Sequence, residues 1–424
     1  AASWAAHSAP RSTASTARRA PSNWCEGALA APGWVVTHDE VLDWARAMVP
    51  ALAQRAAETE RRRELPEATI ADALDADLFR MVVPAELGGH GLGLRSLAGS
   101  TRILAHGCVS TAWTLSFLVM HNWFVVRAPA ALRDEVFAAR GFALVPCPLA
   151  PTGRAVPSTG GFTLTGRWRW ATGVQHGDWV MVNAVVELED GSRQGRFCVV
   201  PVDEVEVVDV WNTAGMRGTG SNDVVADGVF VPRERTLTVD ELRGDEPPGA
   251  RLLPDPFVGY PFTPVLALVA AAPALGGAEA ALEHFRAYIQ DRVLPYSLGD
   301  RQAEQPASQV RLGEALATVR AARLVWDDAV EQLIAHQEAG RSPTPAERGS
   351  QRLAASHVVR LSLQAVHTII EGAGASVHFV DSPLGRIHRD LVTLKGHVVF
   401  DWDRTAQLAG KLEVGLEPGP ADML

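Results

Sequence analysis

Three stretches of this chain hold side chains whose types and spacing suit chemistry. The string GRWRWATG, Gly166 to Gly173, sets the Thr172 hydroxyl and Gly173 at the end of a Trp-rich strand pattern. Glycine there permits close approach of a flat ligand or an unusual backbone angle. The string MRGTGS, Met216 to Ser221, offers hydroxyls, glycine amides and one cation in six residues. That set suits a polar, partly anionic cofactor held largely by backbone groups. Both strings also read as ordinary β-turns. His121 follows Trp113 by eight residues in an apolar helical pattern, a little over two turns and roughly 80° round, so both can border one wide cavity. An imidazole there serves proton transfer, or is a core histidine held by a backbone carbonyl.

The elements that must position these residues come in three blocks. Gly160 to Pro232 alternates with period two: Phe162, Leu164 and Trp168 are set apart from Thr163, Thr165 and Arg167. This predicts hairpins of a small barrel or sandwich. On the N-terminal side, Thr37 and Glu40 form a capping-box pattern, with Val41, Leu42, Ala45, Met48 and Leu52 at helical spacing and Pro50 expected to kink the helix. A second helix starts at Leu65-Pro66-Glu67 with Leu74, Leu78 and Phe79 as its apolar face; a third spans about Leu94 to Ala105, and a fourth carries Trp113 and His121. Past a Pro/Gly/acid-rich break (GDEPPG), Ala-rich helices fall near Val265–Asp291, Ser308–Ala339, Pro345–Gly372 and Thr405–Val414. Leu312, Leu316, Val319 and Leu324 repeat near the helical period, and such helices make a bundle whose outer faces build oligomer interfaces.

The expected division is a disordered lead-in at 1–33, an N-terminal helical domain at 34–140, a middle β domain at 141–240, a linker at 241–256, a helical bundle at 257–414 and a tail at 415–424. A net charge of −10 argues against nucleic acid as a partner. Four scattered cysteines with no CxxC pair point to a reducing, cytoplasmic setting and away from a zinc cluster. The spacings of His367, His378 and His388, 11 and 10, match no metal motif. The N-terminal stretch lacks the apolar core of a secretory signal. The most apolar window, Ala112 to Val126, is too short to span a bilayer and reads as a buried helix. The glycine-rich run Gly88 to Gly93 lacks the Lys-Ser/Thr of a phosphate loop.

Four strings in order, LPEATIADALDADLFRMVVPAELGGHGLG, GRWRWATG, GMRGTGSNDVVADGVFVP and EGAGASVHFVDSPLGRIHRD, resemble the acyl-CoA dehydrogenase superfamily over roughly Thr37 to Glu413. The resemblance implies an α+β fold: an N-terminal helical domain, a middle β-barrel or sandwich domain and a C-terminal four-helix bundle. It also implies a homotetramer with flavin between the β domain and the bundle. Dehydrogenases of the superfamily commonly carry a catalytic Glu in a Glu-Gly-Thr motif after an Arg-Asp pair. Here Arg389-Asp390 leads instead to Lys395-Gly396-His397. The chain is more similar to the flavin-dependent monooxygenases of two-component systems, which use reduced flavin and O2 through a C4a-hydroperoxide to hydroxylate small, mostly aromatic or polycyclic molecules. FMNH2 or FADH2 would come from a separate reductase, since no GxGxxG following a strand is present.

By that resemblance His121 and His397 act on substrate and oxygen, with an imidazole near neutral pKa able to deprotonate a phenol, and Thr172 bonds flavin N5. Trp170, Thr172, Gly173, Arg217, Thr219 and Ser221 would hold flavin from the middle domain. Arg292 resembles an arginine that meets the flavin phosphate, and Gly372, Gly374, Arg386 and Arg389 a segment that reaches a neighbouring subunit's flavin. An ion pair is the other reading of Arg389-Asp390. Trp113, Phe117, His121, Trp123 and Cys147 would wall the substrate pocket. Two alternatives remain at this point: an acyl-CoA or acyl-carrier dehydrogenase with its base elsewhere, for example Glu371, and a scaffold that binds acyl groups or flavin without turnover.

Overall fold

The computed structural model describes residues 36–424 apart from Tyr296, Pro420, Ala421 and Met423. The expected lead-in at 1–33 therefore lies outside the described residues. Five α-helices open the described residues: α1 (His38–Arg62), α2 (Glu67–Asp75), α3 (Leu94–Leu104), α4 (Val109–Arg127) and α5 (Ala130–Phe137). Thr37 caps α1 through the expected capping box with Glu40, and the helix runs through Pro50 to Arg62. The second apolar face is shorter than expected. α2 ends at Asp75, Leu74 is exposed, and Leu78 and Phe79 lie buried in a separate 3-10 turn.

Every residue of α4 is buried. A helix that is apolar all round belongs in an interior, and α4 packs there against α7 (Phe262–Asp291), itself buried at every position from Phe262 to Ala278. By length and composition α4, α7 and α9 (Pro345–Ala373) would each be able to cross a membrane. α4 exceeds the apolar window read from the sequence, and protein covers it on all sides. One buried cation ties this core together. Arg127, at the end of α4, donates to the carbonyls of Leu242, Gly244, Val258 and Tyr260 and has its pKa lowered to about 9 by burial. It thereby fixes the linker that leads into α7.

The middle block is one seven-stranded sheet: β1 (Gly153–Ser158), β2 (Gly161–Ala171), β3 (Trp179–Glu187), β4 (Arg193–Pro201), β5 (Glu206–Val208), β6 (Asn222–Pro232) and β7 (Thr236–Thr238), in the order β5-β6-β2-β1-β3-β4-β7. All neighbours are antiparallel except β1 and β3. β4 and β6 approach each other across the order, so the sheet folds over as an open barrel. Phe162, Leu164 and Trp168 point into its core, as their alternation predicts. After the short α6 (Val239–Arg243), the C-terminal block comprises α7, α8 (Pro306–Glu338), α9, α10 (Pro383–Leu394) and α11 (Trp402–Glu413). Sequence periodicity missed α10. Its 12 residues hold His, Arg and Asp among the apolar positions, yet Leu384, Ile387, Leu391 and Leu394 are buried along one face. On α8, Val319 is buried, but Leu316 and Leu324 face outward.

Candidate active site

The two predicted catalytic histidines share one aromatic wall. From His397 the ring contacts run to Trp113 (5.3 Å between centroids), Phe117 (4.6 Å) and His121 (5.5 Å). Trp113, Phe117 and His121 project from the same side of α4, as their spacing requires. Below this row the Thr172-Gly173 turn packs against α4. A Cβ on Gly173 would lie 2.9 Å from the Thr114 methyl, and its φ of 69° is left-handed, so glycine is required here on both counts.

The hydrogen bonds assign the tautomers. His121 Nδ1 lies 2.6 Å from the Val145 carbonyl. A carbonyl only accepts, so Nδ1 carries the proton and Nε2 offers a lone pair. His397 does the opposite. Its Nδ1 accepts from the Val399 N–H at 3.3 Å, capping the turn Val398–Phe400, and this leaves the proton on Nε2. Neither Nε2 has a hydrogen-bond partner among the described residues. Burial lowers both pKa values to about 4, below the near-neutral value expected from the sequence. Among the described residues no carboxylate faces either ring to stabilise a charge. The pair is therefore neutral at physiological pH: one acceptor and one donor on a single wall.

At the edge of the β domain the chain carries an extra residue. Trp168 pairs with Val224 and Ala171 with Asn222, so Arg169 and Trp170 together face Asp223 alone, which is a β-bulge. The bulge swings Trp170 outward, 61% exposed, with φ at 68°. A left-handed tryptophan is strained by about 1–3 kcal/mol. Buried Asp223 holds it: one oxygen accepts from the Trp170 N–H at 3.4 Å, the other from Arg167 Nε at 2.7 Å. Next to this indole, Thr172 Oγ1 meets Ser221 Oγ at 3.0 Å, and Ser221 Oγ meets Thr219 Oγ1 at 2.7 Å. A strained, exposed indole beside a partly exposed hydroxyl and a glycine backbone fits a flat ring ligand with a polar edge. Flavin meets that description.

The expected flavin-binding cations have partners within the chain. Glu60 accepts from Arg386 Nε at 3.0 Å and from Arg389 Nη2 at 2.6 Å, and its main-chain carbonyl accepts from Arg217 Nε at 3.1 Å. Arg217 also donates to Asn212 and Thr213. All three arginines are thus engaged within the chain. The ion-pair reading of Arg389-Asp390 holds for the arginine, with Glu60 rather than Asp390 as partner. Asp390 instead accepts from the Met216 N–H at 2.6 Å and Ser110 Oγ at 3.2 Å. Burial raises its pKa to about 6, and the nearby Glu60 charge adds to the rise. Gly215 lies against α10 so closely that a Cβ would sit 1.9 Å from the Arg389 carbonyl.

Arg292, Gly372 and Gly374 do come together, at the far end of α7. Arg292 donates to Ala373 O and Gln302 there, and its guanidinium lies 3.0 Å from where a Gly374 Cβ would be. Trp123 is a core residue, not a pocket wall. It is fully buried, stacked on Phe257 and Phe262, with its indole N–H on the Phe257 carbonyl at 2.7 Å. Cys147, two residues past Val145, is partly exposed, and burial of the sulfur raises its pKa, so it remains a thiol. Glu371 is exposed on α9. Sequence reasoning missed Asp223, Glu60 and Ser110. Only Asp390 carried a signal, as part of the Arg-Asp pair.

The family models for the acyl-CoA dehydrogenase N-terminal and C-terminal domains match residues 36–130 and 268–402. A pigment production hydroxylase of Rhodococcus sp. (strain ATCC 21145) is 32% identical over 381 residues, 90% of this chain and 98% of that protein. The oxygenase subunit HsaA of a flavin-dependent monooxygenase from Mycobacterium tuberculosis is 29% identical over 374 residues, 88% of this chain and 94% of its own. The crystal structure of XiaF from Streptomyces sp., in complex with FADH2 and glycerol, superposes with a TM-score of 0.85 at 28% identity, covering 91% of this chain and 98% of XiaF. The chain belongs to the acyl-CoA dehydrogenase superfamily and, within it, to the oxygenase components of flavin-dependent monooxygenases.

Proposed function

We propose that this chain hydroxylates an aromatic ring that bears its own O–H or N–H, a phenol above all. The observation that carries this reading is the opposite polarity of the two neutral imidazoles. His121 Nε2 is a lone pair in an apolar wall, so it favours a substrate that donates a hydrogen bond. With a pKa of about 4 it is a weak base. Its role is to orient and polarise the O–H, which raises electron density on the ring, rather than to remove the proton outright. His397 presents N–H and donates to an oxygen atom at the reacting centre. Trp113 and Phe117 between them exclude water and stack on the ring.

Trp170, Thr172 and Gly173 would hold the flavin, with the Thr172 hydroxyl assigned to its N5 edge, and the buried Ser221 and Thr219 would back that hydroxyl rather than touch the ring. Reduced flavin, brought by a separate reductase, supplies the electrons that activate O2, so that one oxygen atom enters the ring and the other leaves as water. The flavin would be FMNH2 or FADH2. The outward-facing Leu316 and Leu324 of α8, with exposed Phe379 and Val380, support the further reading that the chain works as a homotetramer. A cytoplasmic setting suits its reduced cysteines Cys108, Cys147 and Cys198.

The test compares a phenol with its methyl ether, which keeps the ring and loses the donor. With reduced flavin and O2, the phenol should yield hydroxylated product and the ether mainly hydrogen peroxide. Equal turnover of the ether would contradict the reading.

A further inference from the structure

The hydroxyls beside Trp170 form a chain with one direction. Thr219 Oγ1 lies 3.0 Å from the Met216 carbonyl oxygen. Two oxygens that close repel unless a proton lies between them, and a carbonyl cannot provide it. Thr219 therefore donates to Met216. Its single proton is then used, so at the 2.7 Å contact Ser221 donates to Thr219. The same argument at the 3.0 Å contact makes Thr172 the donor to Ser221. The terminus is rigid. Met216 O also accepts from the Trp211 indole at 2.8 Å, and the Met216 N–H is held by Asp390 at 2.6 Å. Ser221 and Thr219 are buried, so water does not compete for their protons. Thr172, the one member open to the site, turns its proton inward and its lone pairs outward.

We infer that Ser221 and Thr219 are positioning residues that make the site select reduced over oxidised flavin, by holding the Thr172 hydroxyl as an acceptor. This rests on the reading that Thr172 faces flavin N5. In reduced flavin N5 carries a hydrogen and donates. In oxidised flavin it is a lone pair and accepts. An oxygen with its proton turned away bonds the first and repels the second. An oxygenase component that takes its flavin from a separate reductase must bind the reduced form among a pool of the oxidised one, and this relay supplies the discrimination without any charged group.

Dissociation constants for oxidised flavin (fluorescence titration) and reduced flavin (anaerobic titration) are to be measured with FMN and with FAD. They are compared across wild type, Ser221→Ala, Thr219→Val and Thr172→Val, with unfolding midpoints as a check on folding. Ser221→Ala takes away the acceptor for the Thr172 proton, which is then free to turn outward. Thr219→Val releases the Ser221 proton to reverse the chain, and serves where Ser221→Ala does not fold. Each should tighten oxidised flavin relative to reduced flavin by about tenfold, the size of one hydrogen bond gained or lost. Thr172→Val should weaken reduced flavin by about the same factor. If Thr172→Val weakens reduced flavin while both relay variants keep the wild-type ratio, the relay has no selective role and the inference fails. If Thr172→Val leaves both affinities unchanged, the assignment of Thr172 to N5 fails first, and the inference with it.

Discussion

Ser110 and Trp113 are less than one turn apart on α4, yet they serve two buried clusters of opposite design. Ser110 joins a closed one. There Glu60, Arg386, Arg389 and Asp390 bind one another's neighbours across all three blocks of the fold. Trp113 joins an open one, where His397 and His121 each leave one ring nitrogen without a partner among the described residues. Arginine and carboxylate in a cleft suggest chemistry from the sequence, but here they hold the domains together. Two uncharged histidines among aromatic rings look like core, yet they are the groups left open to a ligand.

The largest effect is expected at Glu60. Glu60→Ala leaves buried Arg386 and half-buried Arg389 without their carboxylate, and denaturant unfolding should show a loss of about 3 kcal/mol. A loss well under 1 kcal/mol would mean that the closed cluster is not a clasp. Asp390 gives a smaller, pH-dependent effect. Its pKa in the fold, about 6, lies above the ordinary 3.8, so the folded protein holds this proton more tightly than the unfolded chain does. That stabilisation is fully present below about pH 4 and lost as pH rises through about 6, a swing of about 3 kcal/mol. Asp390→Asn is neutral throughout. Its stability relative to wild type should therefore increase between about pH 4 and pH 7 by about that amount, and a constant difference would count against the raised pKa of this buried carboxyl. In the open region the sign reverses. Trp170→Gly relieves a left-handed tryptophan and should stabilise the apoprotein by about 1 kcal/mol while weakening flavin binding. Destabilisation with unchanged flavin affinity would place the indole in the framework instead.

Legibility from sequence followed the range of the interactions. The capping box at Thr37, the alternation of Phe162, Leu164 and Trp168, and the Trp113–His121 spacing are local, and each was readable. So was the Thr172-Gly173 turn. Glu60 was not, because its partners lie 326 and 329 residues away and nothing near it marks it as paired. The bulge at Trp170 depends on a one-residue mismatch with β6, which no single strand reveals. Trp123 misled because an aromatic residue two positions after His121 reads as the same wall, whereas helical geometry turns it about 200° away and into the core. The low pKa values of the histidines follow from burial alone, and burial is a tertiary property.

On the function proposed above, a neutral acceptor, His121, and a neutral donor, His397, couple oxygen use to hydroxylation. The direct test is the ratio of hydroxylated product to hydrogen peroxide, with a phenol and reduced flavin, measured from about pH 5 to about pH 8 in wild type, His121→Ala and His397→Ala. Both imidazoles titrate near 4, so the wild-type ratio should stay flat across that range, and each variant should release about tenfold more peroxide per product. A wild-type ratio that steps near pH 6.5, or variants as well coupled as wild type, would contradict it.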